Sequence, residues 1–281
     1  MAPLEQIPLD QARDRVRDLL AVQAGIVELA VRQMMYEAER FAGDDQETAR
    51  VIWVLMRDAA TSMRSVLLLT ASFDAAIRDC YGIARSIFET AVNVAYIATI
   101  GPPAALRAMR HATQKAYRDL LRTDPDGLKV PPRDPPPAAD LIPGMPEALG
   151  EFTRANGTEL TEWAGLGVQG KLAAICERYP GVRLGMSVSL GSIYRAASEV
   201  LHGTLYASSI FYEPRLDENG APRSFEDRYV FDHLLTLFIA ISGSVNGMLE
   251  VVGERYDLPE IASRVRDLLY AGADLMVSDR S

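Results

Sequence analysis

Apolar residues in this chain recur at spacings of three and four over long stretches. That period suits a helix and conflicts with a strand, whose faces alternate every second residue. Residues 10–41 carry Val16, Leu19, Leu20, Val27, Ala30, Val31 and Met34 on such a stripe, and Gly43-Asp44-Asp45 ends it. The same period predicts helices over 46–70 and 74–99, the second stopped by Gly101-Pro102-Pro103. The two prolines can themselves open a helix over 104–122, since proline is tolerated in a first turn. No alternating pattern of useful length occurs. The predicted fold class is therefore all-α, a multi-helix bundle.

Residues 123–146 interrupt the pattern. They hold eight of the chain's 16 prolines, a density that excludes a helix and favours an extended loop. The loop separates an N-terminal helical half, 8–122, from a C-terminal half, 147–277. Neither half has an obvious closed core of its own, so the expected organisation is one domain over 1–281 with a proline-rich insertion. In the second half, helices are predicted over 146–154, 169–179, 186–211 (with a break near Gly191 or Gly203), 224–252 and 259–277. Ser224 and Asp227 form the start signal of the fourth of these.

Composition narrows the class of function. A net charge of −9 opposes broad electrostatic binding to nucleic acid, although it allows a local basic site. The two cysteines, Cys80 and Cys176, sit in apolar helical contexts and read as buried thiols of a reducing compartment. The N-terminus lacks a basic segment followed by an apolar run. The most apolar window, 234–249, falls short of the roughly 20 residues a bilayer span needs and reads as a core helix. The expectation is a cytoplasmic protein with no membrane contact. No glycine-rich phosphate loop, zinc spacing or nucleophile elbow occurs, so no cofactor or metal is expected.

Two stretches carry candidate chemistry. In Y-R-A-A-S-E-V-L-H-G, residues 194–203, Arg195 and His202 stand seven apart, close to two helical turns, and share a face. Glu199 lies one turn after Arg195. Glu199 and His202 also form a Glu-x-x-His, half of a di-metal motif whose second copy is missing. Ser198 is a nearby hydroxyl without a strained elbow. The second stretch is the helix over 74–99. Ala84, Ile87, Phe88, Ala91, Val94 and Ala95 give it a broad apolar surface, yet Asp74, Arg78, Arg85 and Glu89 line one side at spacings of four and seven. Charges on so apolar a helix need partners. Arg78, Arg85, Glu89, Asn93 and Ser198 thus form either an internal ion-pair network or the lining of a polar cleft. A third feature is the basic helix with Arg107, Arg110, His111, Lys115 and Arg118, read as a solvated face or as one that contacts RNA phosphates. His233 and Trp53 read as packing residues, and Trp163 either as a core anchor or as a cover over a cleft.

Two blocks, R-S-I-F-E-T-A-V-N-V-A-Y-I over 85–97 and W-A-G-L-G over 163–167, are followed by a helix with Lys171 and then Y-R-A-A-S-E-V-L-H-G-T. Together they resemble a bacterial all-helical family, domain of unknown function 5677, over about residues 65–203. That resemblance implies a helical fold and no assigned reaction. The second block resembles, more distantly, the HEPN superfamily, helical bundles whose ribonuclease members carry an arginine followed at a short helical interval by a histidine. The likeness implies a homodimer in which two such motifs meet and act on an RNA phosphodiester without a metal, with Arg195, His202 and Glu199 as the catalytic set. Ala196 departs from the polar residue that active members often carry after the arginine. Two readings follow. One is a non-catalytic binding or scaffold module, HEPN-like, with RNA or a nucleotide as the expected partner class. The alternative is a metal-independent ribonuclease in a defence or toxin setting. In both, Arg195, Glu199 and His202 are expected to face the Arg85/Glu89 stripe.

Overall fold

The computed structural model describes residues 8–121, 138–205 and 227–276. Helices account for nearly all of them: α1 (Leu9–Glu37), α2 (Asp44–Leu69), α3 (Phe73–Ile100), α4 (Pro102–Leu121), α5 (Met145–Glu151), α6 (Val168–Arg178), α7 (Arg183–Ser189), α8 (Arg195–Leu201), α9 (Asp227–Arg255) and α10 (Pro259–Met276). A wide π turn, Leu190–Tyr194, joins α7 to α8. Among the described residues the only β feature is an isolated bridge between Thr153 and Glu159. The chain is an all-α multi-helix bundle.

The two most apolar helices, α3 and α9, pack against each other at the centre. Helices α1 and α2 cover one side of that pair, α6 to α8 the other, and α10 lies on α1 and α9. Buried apolar residues from Ala12 to Leu268 form one contiguous cluster that draws on both halves of the chain. Helix α9 is long and apolar enough to cross a bilayer, with a mean hydropathy of 1.6 in its most apolar window, but 67% of that window is buried inside the bundle. It packs as a core helix.

Helices α7 and α9 approach each other closely. A Cβ placed on Gly243 would sit 2.5 Å from the carbonyl oxygen of Gly185 and 2.8 Å from Ser189 Oγ. The small residues let two helix backbones touch, and Ser189 Oγ reaches the Ala240 carbonyl at 2.7 Å across the same contact.

Helix ends follow the glycine and proline punctuation. Helix α3 stops at Gly101, φ +84°, whose N–H donates to the Ile97 carbonyl at 2.8 Å. The helix predicted over 186–211 differs most. It begins earlier, at Arg183, opens into the π turn, and ends at Leu201, ahead of Gly203 at φ +63°. Its expected continuation over 206–211 lies outside the described residues. So do 122–137, most of the proline-rich loop; its last residues hold a 3-10 turn, Ala139–Leu141, and the first turn of α5.

Candidate functional site

The buried series through α7 and α8 is Val182, Met186, Ser189, Ile193, Ala197 and Val200. Two successive steps of four, from Ser189 to Ile193 to Ala197, carry the inward face through the π turn, which holds one residue more than an α turn. Arg195 and His202 fall on the opposite side of α8. Both are exposed, Glu199 between them is half-buried, and the three share an outward stripe. Among the described residues the side chains of Arg195 and His202 make no hydrogen bond or ion pair. Glu199 accepts a hydrogen bond from Thr204 Oγ1 at 2.9 Å.

The α3 stripe lies elsewhere and is consumed by its neighbours. Arg78 Nη2 donates to the Val200 carbonyl at 3.4 Å, which ties α3 to the end of α8. One turn on, Gly82 faces Leu201. Arg85 Nε donates to Glu89 Oε1 at 2.9 Å, and its guanidinium lies over the Tyr194 ring at 4.6 Å. Asn93 Oδ1 accepts from Lys171 Nζ at 3.0 Å. Tyr194, rather than Arg195, is therefore the residue that α8 and its π turn present to the Arg85/Glu89 pair. The expectation that Arg195, Glu199 and His202 face that stripe is corrected. The four groups Arg85, Glu89, Arg195 and His202 do not form one network. Ser198, half-buried, sits at the flank of the outward stripe.

Lys171 is a feature the sequence did not single out. Its side chain is only 4% exposed, and its ammonium meets Asn93, Glu162 Oε2 at 3.2 Å and the Trp163 ring at 5.0 Å. Trp163 in turn packs edge-on against Tyr96 at 5.9 Å. Trp163 is thus a cover, seated over a buried cation between α3 and α6. The irregular segment that carries it is clamped by α4. Arg107 Nε donates to the Trp163 carbonyl at 2.5 Å, and Arg107 and Arg110 both pair with Glu151. His111 Nε2 donates to the Leu160 carbonyl at 3.4 Å, and Lys115 reaches Glu159 at 4.0 Å. The basic face of α4 is tied to this segment, yet Arg110 stays exposed and Lys115 half-exposed, so it is in part the solvated face expected.

The electrostatics agree. Glu151 is held below the ordinary carboxylate range by its hydrogen bond from Arg110. His111 is pushed below the usual imidazole value, chiefly by burial. His233 is lowered by burial too; its Nδ1 lies 2.8 Å from Tyr81 Oη and its ring packs on Tyr229. Neither histidine is placed to exchange protons with a ligand. Among the described residues no group of three His, Cys, Asp or Glu side chains comes together as a metal site.

Comparison with protein-family models, curated proteins and solved structures gives no match for this chain. The candidate site therefore rests on its own geometry. Of the polar clusters anticipated from the sequence, Arg78, Arg85, Glu89 and Asn93 of α3 and the cations of α4 have partners among the described residues, the side chain of Asp74 lies outside them, and the side chains of Arg195 and His202 have no such partners.

Proposed function

We propose that the protein is a HEPN-like helical-bundle module, non-catalytic as a single chain, that binds RNA or a nucleotide through the outward face of α8. The observation that supports this is the exposed Arg195 and His202 on one stripe, their side chains without hydrogen bonds or ion pairs among the described residues. An uncommitted guanidinium offers a planar fork to a phosphate, and an adjacent imidazole adds a second donor. The outward face of one helix neither excludes water nor holds a reacting group from two sides, which catalysis of phosphodiester cleavage needs. The two buried free thiols, Cys80 and Cys176, favour a cytoplasmic setting. The test is fluorescence anisotropy with a labelled single-stranded RNA and with a labelled nucleotide. Arg195→Ala should weaken binding about tenfold with no loss of thermal stability, while Lys115→Ala on α4 leaves it unchanged. Equal binding by Arg195→Ala and the native chain refutes the reading.

The exposure of His202 favours one second reading, a metal-independent ribonuclease assembled when two α8 faces meet. There His202 would take the 2′-hydroxyl proton as that oxygen attacks phosphorus, and the partner's histidine would protonate the departing 5′-oxygen. Arg195 would bind the phosphorane charge. Cleavage in the presence of a chelator, abolished by His202→Ala with RNA binding retained, is the expected result. Absence of cleavage by the native chain at high concentration rejects it.

A further inference from the structure

A groove of about 570 Å³ runs between α1 and α10, remote from α8. Its α1 wall carries Val22, Gly25, Ile26, Leu29 and Arg32, and Leu268 of α10 lies opposite. Three observations about that wall belong together. Val22, 53% exposed, Gly25, Leu29 and Arg32 follow one another at spacings of three, four and three, the seam spacing of a helix that packs on another helix. Val22 is its exposed apolar member, and Leu29 is partly buried against the core.

The second observation is Gly25 itself. It lies mid-helix, where glycine costs about 1 kcal/mol relative to alanine. A Cβ at this position would meet nothing within 4 Å. Nothing among the described residues requires a glycine there. A close approach by a second backbone would.

The third is charge. Asp18 and Arg32 are both exposed; Arg32 helps to hold the Glu28 carboxylate in its charged form one turn away, and neither Asp18 nor Arg32 makes a direct side-chain ion pair among the described residues. They stand seven residues to either side of Gly25. In a two-fold pairing of antiparallel α1 helices that cross at Gly25, residue 25−n faces residue 25+n. Asp18 of each copy then meets Arg32 of the other, about 10 Å along the axis from the crossing on each side. Ala21 is set against Leu29 by the same rule, small against large. The rule also sets Val22 against Glu28, whose carboxylate is taken by Arg64 within each chain.

We propose that this face docks a second copy of the chain, through an isologous antiparallel α1–α1 contact centred on Gly25. The inference is independent of the α8 reading, since α1 and α8 lie on different sides of the central α3–α9 pair. It also means that this dimer does not itself bring two Arg195/His202 stripes together.

The experiment is light scattering on the eluting full chain across the micromolar range, with sedimentation as a second measure. The native chain should run at twice its 30.8 kDa mass. Gly25→Gln should run at one chain mass with unchanged helical circular dichroism, because its side chain enters open space in the single chain and a collision only at the two-fold. Arg32→Asp and Asp18→Arg should each weaken association about tenfold, and the double swap should restore it. A monomeric native chain, a Gly25→Gln dimer, or a double swap no better than the singles would each overturn the proposal. RNA binding by Gly25→Gln, which should persist, keeps this outcome separate from that of the α8 face.

Discussion

Gly243→Ala gives opposite signs from local and tertiary reasoning, and the structure decides between them. On helix propensity alone, alanine in place of a mid-helix glycine stabilises by about 1 kcal/mol. At Gly243 the new methyl carbon would lie 2.5 Å from a backbone oxygen, that of Gly185, and 2.8 Å from Ser189 Oγ. Backbone cannot swing aside as a flexible side chain does, so α7 and α9 must part by roughly 0.5–1 Å, a gap that forfeits a quarter to a half of each dispersion contact across it. The Ser189 hydrogen bond to the Ala240 carbonyl stretches with it, at about 1 kcal/mol. Overpacking of this kind costs about 1–3 kcal/mol. With the lost hydrogen bond added and the propensity gain subtracted, the net is a destabilisation of about 1–3 kcal/mol. For a chain of this size that is a fall in Tm of roughly 2–5 °C. Urea unfolding followed by circular dichroism measures it, with Gly150→Ala as the control, because a Cβ there meets nothing within 4 Å. Gly243→Ala at or above native stability would refute the close-contact argument.

Three further outcomes follow from the same geometry. Arg107→Ala removes the donor to the Trp163 carbonyl and one partner of Glu151, so limited trypsin cleavage at Arg154 should accelerate several-fold; an unchanged rate would show that α4 does not hold the segment. His111 and His233 both have folded-state values below the ordinary one, so the unfolded chain binds more protons and stability is lost as pH falls from about 6.5 toward those lower values. Between pH 7.5 and 5.5, by urea unfolding, His233→Gln should show a shallower decline than the native chain; a parallel curve would contradict the burial argument. Burial pushes the Cys80 thiol up to about 12 and raises Cys176 as well, so a disulfide reagent near neutral pH should find no fast-reacting thiol in the native chain and two after denaturation.

Helix existence was legible because its signals are local. Gly101-Pro102-Pro103 and Pro180-Gly181 mark ends within a residue or two of where α3, α4 and α6 stop or start. The Arg195/His202 stripe was legible for the same reason: a period of 3.6 fixes which residues share a face. It does not fix which way that face points. The direction comes from the buried series Met186, Ser189, Ile193 and Ala197; the break expected near Gly191 falls in the π turn, but a glycine does not announce the extra residue that turn holds. The facing expectation therefore failed by orientation while the grouping itself held. The partners of the basic side of α4 were illegible for a different reason. Those beyond the helix stand 35 to 56 residues away along the chain, so neither the pairing with Glu151 nor the Trp163 carbonyl left a trace near Arg107. Lys171 escaped notice on the same ground, since one lysine in an amphipathic helix reads as surface until Asn93 and Trp163 are brought over it. What a single sequence withholds here is the absolute phase of a helix and the identity of a distant partner, and both bear directly on which charges remain free to bind.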